Sequence, residues 1–100
     1  MTIPDKVKVL YKEYVVEERD GLHNGEGDLY GEIHYLPEKI LLNRESSQEQ
    51  KLATLMHEIV HALDEMWCIN LEEDKVEKLG NALYMLVRDN PKLFNEEGQK

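Results

Sequence analysis

Two histidines four residues apart, set within an apolar repeat of helical period, constrain this chain more than any other feature. The pentapeptide His57-Glu58-Ile59-Val60-His61 has the form H-E-x-x-H. Around it Leu52, Leu55, Met56, Ile59, Val60, Leu63 and Met66 recur at the spacing of one helix face. Upstream, Ser46 with Glu49 and Ser47 with Gln50 both fit the spacing of a capping box. The chain must therefore build a capped amphipathic helix, ending near Trp67 to Asn70. On such a helix His57 and His61 are one turn apart and point the same way. Two imidazoles so placed can share one zinc ion, and Glu58 between them can reach a water beside it.

The segment before this helix is rich in turn signals. Val7 to Val16 alternates in part and reads as a strand with a kink, with a short helix from Pro4 as the competing reading. Asp20 to Asp28 carries three glycines and reads as a loop or long hairpin turn. Gly31 to Leu36 alternates, Pro37-Glu38 makes a turn, and Lys39 to Asn43 pairs back as a hairpin. After the first helix a second is predicted from about Leu71. Val76, Leu79, Leu83 and Leu86 mark its inward face, and Asn90-Pro91 ends it. The tail from Asn95 to Lys100 reads as frayed. The expected fold is α+β in one domain over residues 1–100, a small antiparallel sheet of about three strands followed by two helices.

Composition narrows the function classes. With 12 basic and 21 acidic side chains the formal charge is -9, which argues against a nucleic-acid partner, since phosphate neutralisation needs clustered Lys and Arg. The lone Cys68 permits no disulfide within one chain. Met1 to Lys6 lacks the apolar core of a signal peptide, and no apolar run approaches membrane-spanning length. The expectation is a soluble cytoplasmic protein with no membrane or nucleic-acid partner.

A catalytic zinc takes three protein ligands and leaves one position open. A metzincin would place glycine three and histidine six residues beyond His61; Asp64 and Trp67 stand there, which excludes that branch. Asp64 suits an acceptor that orients a ligand histidine. Cys68 is a soft donor on the same helix, and its competing reading is a small buried apolar residue. The second helix offers Glu72, Glu73, Asp74 and Glu77. Glu77 lies beside Val76 and four residues before Asn81, which ranks it first as third ligand, with Glu73, one turn earlier, as runner-up.

The chain resembles the small phage- and prophage-encoded ImmA/IrrE-type metallopeptidases. The likeness runs through Tyr30-Gly31-Glu32-Ile33-His34-Tyr35, Ile40-Leu41-Leu42-Asn43, Thr54 to Ala62, and Val76 to Tyr84. The resemblance implies a minimal gluzincin-like zincin core, with His57, His61 and Glu77 as zinc ligands. Gly80 stands where larger members carry alanine, and Leu83-Tyr84 replaces their Phe-Ala pair. The expected activity is hydrolysis of a peptide bond in a protein or peptide substrate, with Zn²⁺ as cofactor and Glu58 as general base. Tyr84, Tyr35 and His34 are candidate second donors to a developing oxyanion. The competing reading is a zinc-containing or degenerate zincin-like domain that binds another protein without catalysis.

Overall fold

The structure, a computed structural model, describes residues 1–24 and 27–94. Its architecture is α+β. A four-stranded sheet has the order β1-β2-β6-β5, where β1 is Lys6–Val9, β2 Lys12–Arg19, β5 Gly31–His34 and β6 Lys39–Asn43. The two-residue strands β3 (His23–Asn24) and β4 (Gly27–Asp28) pair antiparallel with each other, and residues 25–26 of that expected loop lie outside the described residues. Helix α1 spans Gln48–Trp67, α2 spans Glu73–Asp89, and a single turn, α3, covers Pro91–Phe94. The tail at 95–100 is also outside the described residues.

Two expectations about the sheet are corrected. It has four strands rather than three, and it is mixed, because β2 runs parallel to β6 while the β1–β2 and β5–β6 pairs are antiparallel. The stretch Val7 to Val16 is not one kinked strand but a hairpin. Its turn is Leu10-Tyr11, with Leu10 in the left-handed region at φ 57°. The hairpin of β5 and β6 forms as the sequence indicates, with Glu38 at φ 54° completing its turn.

One sheet face meets α1. Val9, Tyr14, Ile40 and Leu42 pack there against Leu55 and Ala62, with Ile33, Ile59, Leu63 and Met66 around them. Burial of side chains of this size contributes about 1.5–3 kcal/mol each and supplies most of the cohesion between the layers. Two ion pairs clamp the same layers, Lys12 Nζ to Glu65 Oε2 at 3.4 Å and Lys51 Nζ to Glu18 Oε1 at 2.6 Å. Both lysine side chains are largely covered while their glutamate partners reach solvent, so the charges meet at the rim. Buried Asn43, at the end of β6, ties the segment before β5 to the turn that leads into α1. Its Nδ2 donates to Leu29 O at 2.9 Å and its Oδ1 accepts from Glu45 N at 3.0 Å.

Tyr14 is wholly buried, and among the described residues its hydroxyl is the one buried side-chain polar atom without a hydrogen-bond partner. Burial, with the charge of Glu65 next, pushes its pKa up to about 12. Removing an unpaired hydroxyl relieves a desolvation cost, so Tyr14→Phe should raise stability by about 1 kcal/mol near neutrality. The folded pKa lies above that of the unfolded chain. The neutral phenol therefore stabilises the fold fully below pH 10, and this contribution is lost as pH rises towards 12. The advantage of the variant should grow across that window, as measured by urea unfolding at pH 8 and pH 11. A constant or shrinking advantage would show that Tyr14 does not titrate in this way.

Candidate metal centre

Helix α1 starts where its cap dictates. Ser47 has extended backbone, and its Oγ accepts from Gln50 N at 3.1 Å, the second of the two expected caps. The helix ends at Cys68, left-handed at φ 51°, whose N–H bonds to Asp64 O. Cys68 is exposed, contrary to the buried alternative, and its thiol lies 4.0 Å from Glu65 O. Asp64 does not orient a histidine. Its Oδ1 accepts from Asn70 N at 2.6 Å and Leu71 N at 3.2 Å, and so folds the connection between α1 and α2.

Gly80 sets how closely the two helices approach. A β-carbon there would lie 3.0 Å from His57 Cα and 3.3 Å from His57 N, atoms that cannot yield without moving α1. An interior helical glycine costs about 1 kcal/mol against alanine, and close packing is the usual reason one is kept. The contact places the first turns of α2 against His57 and His61. Gly80→Val adds bulk against rigid backbone and should cost about 1–3 kcal/mol in urea unfolding; an unchanged midpoint would mean that the helices have slack.

His57, Glu58 and His61 present ligand atoms all within 4.8 Å of one another. The imidazole centroids are 5.0 Å apart, with the rings inclined at 64°. One carboxylate from α2 spans both rings. Glu73 Oε1 is 2.9 Å from His57 Nε2, and Glu73 Oε2 is 3.1 Å from His61 Nε2. Glu77, ranked first from spacing, lines a cleft of about 430 Å³ together with His57, Glu58 and Asn81. The carboxylate that faces both Nε2 atoms thus belongs to Glu73, the runner-up, one turn nearer the start of α2.

Glu58 is 6% exposed. Burial, followed by the charges of Glu73 and Glu32, lifts its pKa to about 7. Tyr35 is raised too, by burial first and then by the charges of Glu58, Glu65, Asp64 and Glu73, which sets it within the field of the site. The other candidate donors are engaged elsewhere. His34 Nε2 lies 2.9 Å from Glu32 Oε2 at the exposed end of β5, and Tyr84 is buried beneath Arg88.

The sequence singles out Gly31 to Leu36 as the sheet edge an extended substrate could join, whereas the roles of Tyr30, Gln50, Ala53 and Thr54 in the cleft escape sequence reasoning. Tyr30 and Gly31 form its sheet side, and Gln50 and Thr54 its floor on α1, linked by a 3.0 Å bond from Gln50 Nε2 to Thr54 Oγ1. At Gly31 an added β-carbon would stand 2.6 Å from Thr54 Cγ2 and 2.8 Å from Leu41 O, so this end of β5 can lie against α1 only without a side chain. A glycine inside an alternating strand is the one available signal of such an approach.

The donor set is chemically coherent for a first-row divalent ion of the zinc type. Two imidazole nitrogens and a carboxylate converge from two rigid helices, and a buried carboxylate adjoins them. No helix among the described residues is long and apolar enough to cross a membrane. No protein-family model, curated protein or solved structure matches this chain.

Proposed function

We propose that this protein is a zinc-dependent metallopeptidase in which His57, His61 and Glu73 hold the ion and Glu58 is the general base. The observation that carries this reading is the convergence of both His Nε2 atoms on one α2 carboxylate beside a buried glutamate and an open cleft. An ion held there supplies Lewis acidity, which acidifies water and polarises a substrate carbonyl.

The protein's own residues do the rest. Glu58 takes a proton from the attacking water and hands it to the leaving amine. Its burial keeps bulk water from competing for that proton. Asn81 and Gln50 offer amide donors along the cleft, and Tyr35 offers a phenol near the charged centre. Among the described residues strand β5 pairs with β6 along one edge and has no strand on the other, and its Gly31 lines the cleft. An extended substrate segment can add to the other edge by main-chain hydrogen bonds, which orient a peptide without selecting its sequence. A second pocket, which shares Gln50, Ala53 and Asn81 with the cleft and is also lined by Tyr84 and Met85, offers room for side chains on that segment.

The test is hydrolysis of an unfolded protein substrate such as reduced casein. The zinc-loaded protein should cleave it, lose activity with a chelator and regain it when zinc is restored. Zinc bound tightly with no cleavage of any member of a broad peptide library would instead assign a binding module.

A further inference from the structure

Of the residues expected to carry α2 onto α1, Val76 is buried and Leu83 half-buried, but Leu79 and Leu86 face outward. Val76, Gly80 and Tyr84 are the buried residues of α2, whereas Leu79 is 43% and Leu86 is 44% exposed. At 3.6 residues per turn, Lys75, Leu79, Ala82, Leu86 and Asp89 fall on one stripe, turned away from α1 and from Glu73 and Glu77. Met85 is exposed beside it, and α3 adds exposed Leu93 and Phe94 at the end of α2. Singly exposed leucines are ordinary, but an apolar stripe continuous over two turns marks a contact surface.

The order of residues along the stripe names the occupant. It begins with a cation, Lys75, passes through Leu79, the small Ala82 and Leu86, and ends with an anion, Asp89, whose carboxylate is exposed and also meets Arg88 Nε at 3.1 Å. This sequence is self-complementary in the antiparallel direction. Around a twofold axis next to Ala82, Leu79 meets Leu86 of a second copy, and each Lys75 lies against the turn bearing Asp89 of the other. The alanine at the centre lets the helix axes close to about 8–10 Å. We propose that the outward face of α2 is the interface of a symmetric antiparallel homodimer, an isologous contact that leaves both clefts open. A contact of one helix from each copy is at the small end of specific interfaces, so micromolar affinity is expected. The proposal does not depend on the metal reading.

Sedimentation equilibrium of the full chain tests it. Across about 1 to 500 µM the average mass should rise from 11.7 kDa towards twice that value. Leu86→Glu should weaken association by at least about tenfold, while circular dichroism and zinc binding stay unchanged. Lys75→Asp should weaken it, and adding Asp89→Lys should restore it; this pair stays informative if the glutamate variant fails to fold. A mass fixed at that of the monomer, a dimer indifferent to Leu86→Glu, or failure of the double charge swap to restore association would each overturn the proposal.

Discussion

Glu58→Gln is expected to abolish peptide hydrolysis while leaving metal affinity and fold in place. The amide has nearly the same shape, so the packing around this 6% exposed position is preserved. It cannot accept and release a proton at neutral pH, and general-base catalysis is typically worth about 10² to 10⁴-fold. Because Glu73, at 2.9 and 3.1 Å from the two Nε2 atoms, takes the third ligand position in this proposal, loss of Glu58 should not release the ion. The check is a paired measurement on one preparation, zinc stoichiometry and kcat/KM on the same substrate. Full zinc with activity down by two orders of magnitude or more is the expected result. Wild-type activity in the variant would remove Glu58 from the mechanism.

The second large effect separates the two glutamates of α2. Glu73→Ala should lose the metal, because its carboxylate is the group that spans His57 Nε2 and His61 Nε2. Removing one of three ligands should weaken binding by at least the 10 to 100-fold seen for the less direct outer partners of metal sites. Glu77→Ala should bind zinc as the unaltered chain does and show its effect in KM, since Glu77 lines the cleft. Isothermal titration with zinc at fixed pH distinguishes them. The reverse pattern, loss with Glu77→Ala and retention with Glu73→Ala, would restore the ligand set expected from spacing alone.

The contrast between Glu73, which faces both histidines, and Glu77, which lines the cleft, shows where sequence reading stops. The H-E-x-x-H helix, its Ser47 cap and the β5–β6 hairpin were legible because each is decided by local spacing and local chemistry. The choice between Glu73 and Glu77 is not local. It depends on where α2 touches α1, and that is set by the approach of Gly80 to His57 and by Asp64 holding the connection at Asn70 and Leu71. The same rotation turns Leu79 and Leu86 outward although their spacing is perfect for an inward face. The sheet carries the same lesson. Leu10 turns the chain with no glycine or asparagine to signal it, and the parallel β2–β6 pairing joins segments separated by the whole β3–β5 region. Neither has a signature in a single stretch of sequence.

The central claim is that His57, His61 and a carboxylate from α2 hold one divalent ion. Its most direct test is the metal content of the purified protein by mass spectrometry, beside that of His61→Ala prepared identically. The account predicts close to one zinc per chain in the unaltered protein and almost none in the variant. Equal and negligible metal in both, in protein that is folded and has been offered zinc, would contradict it.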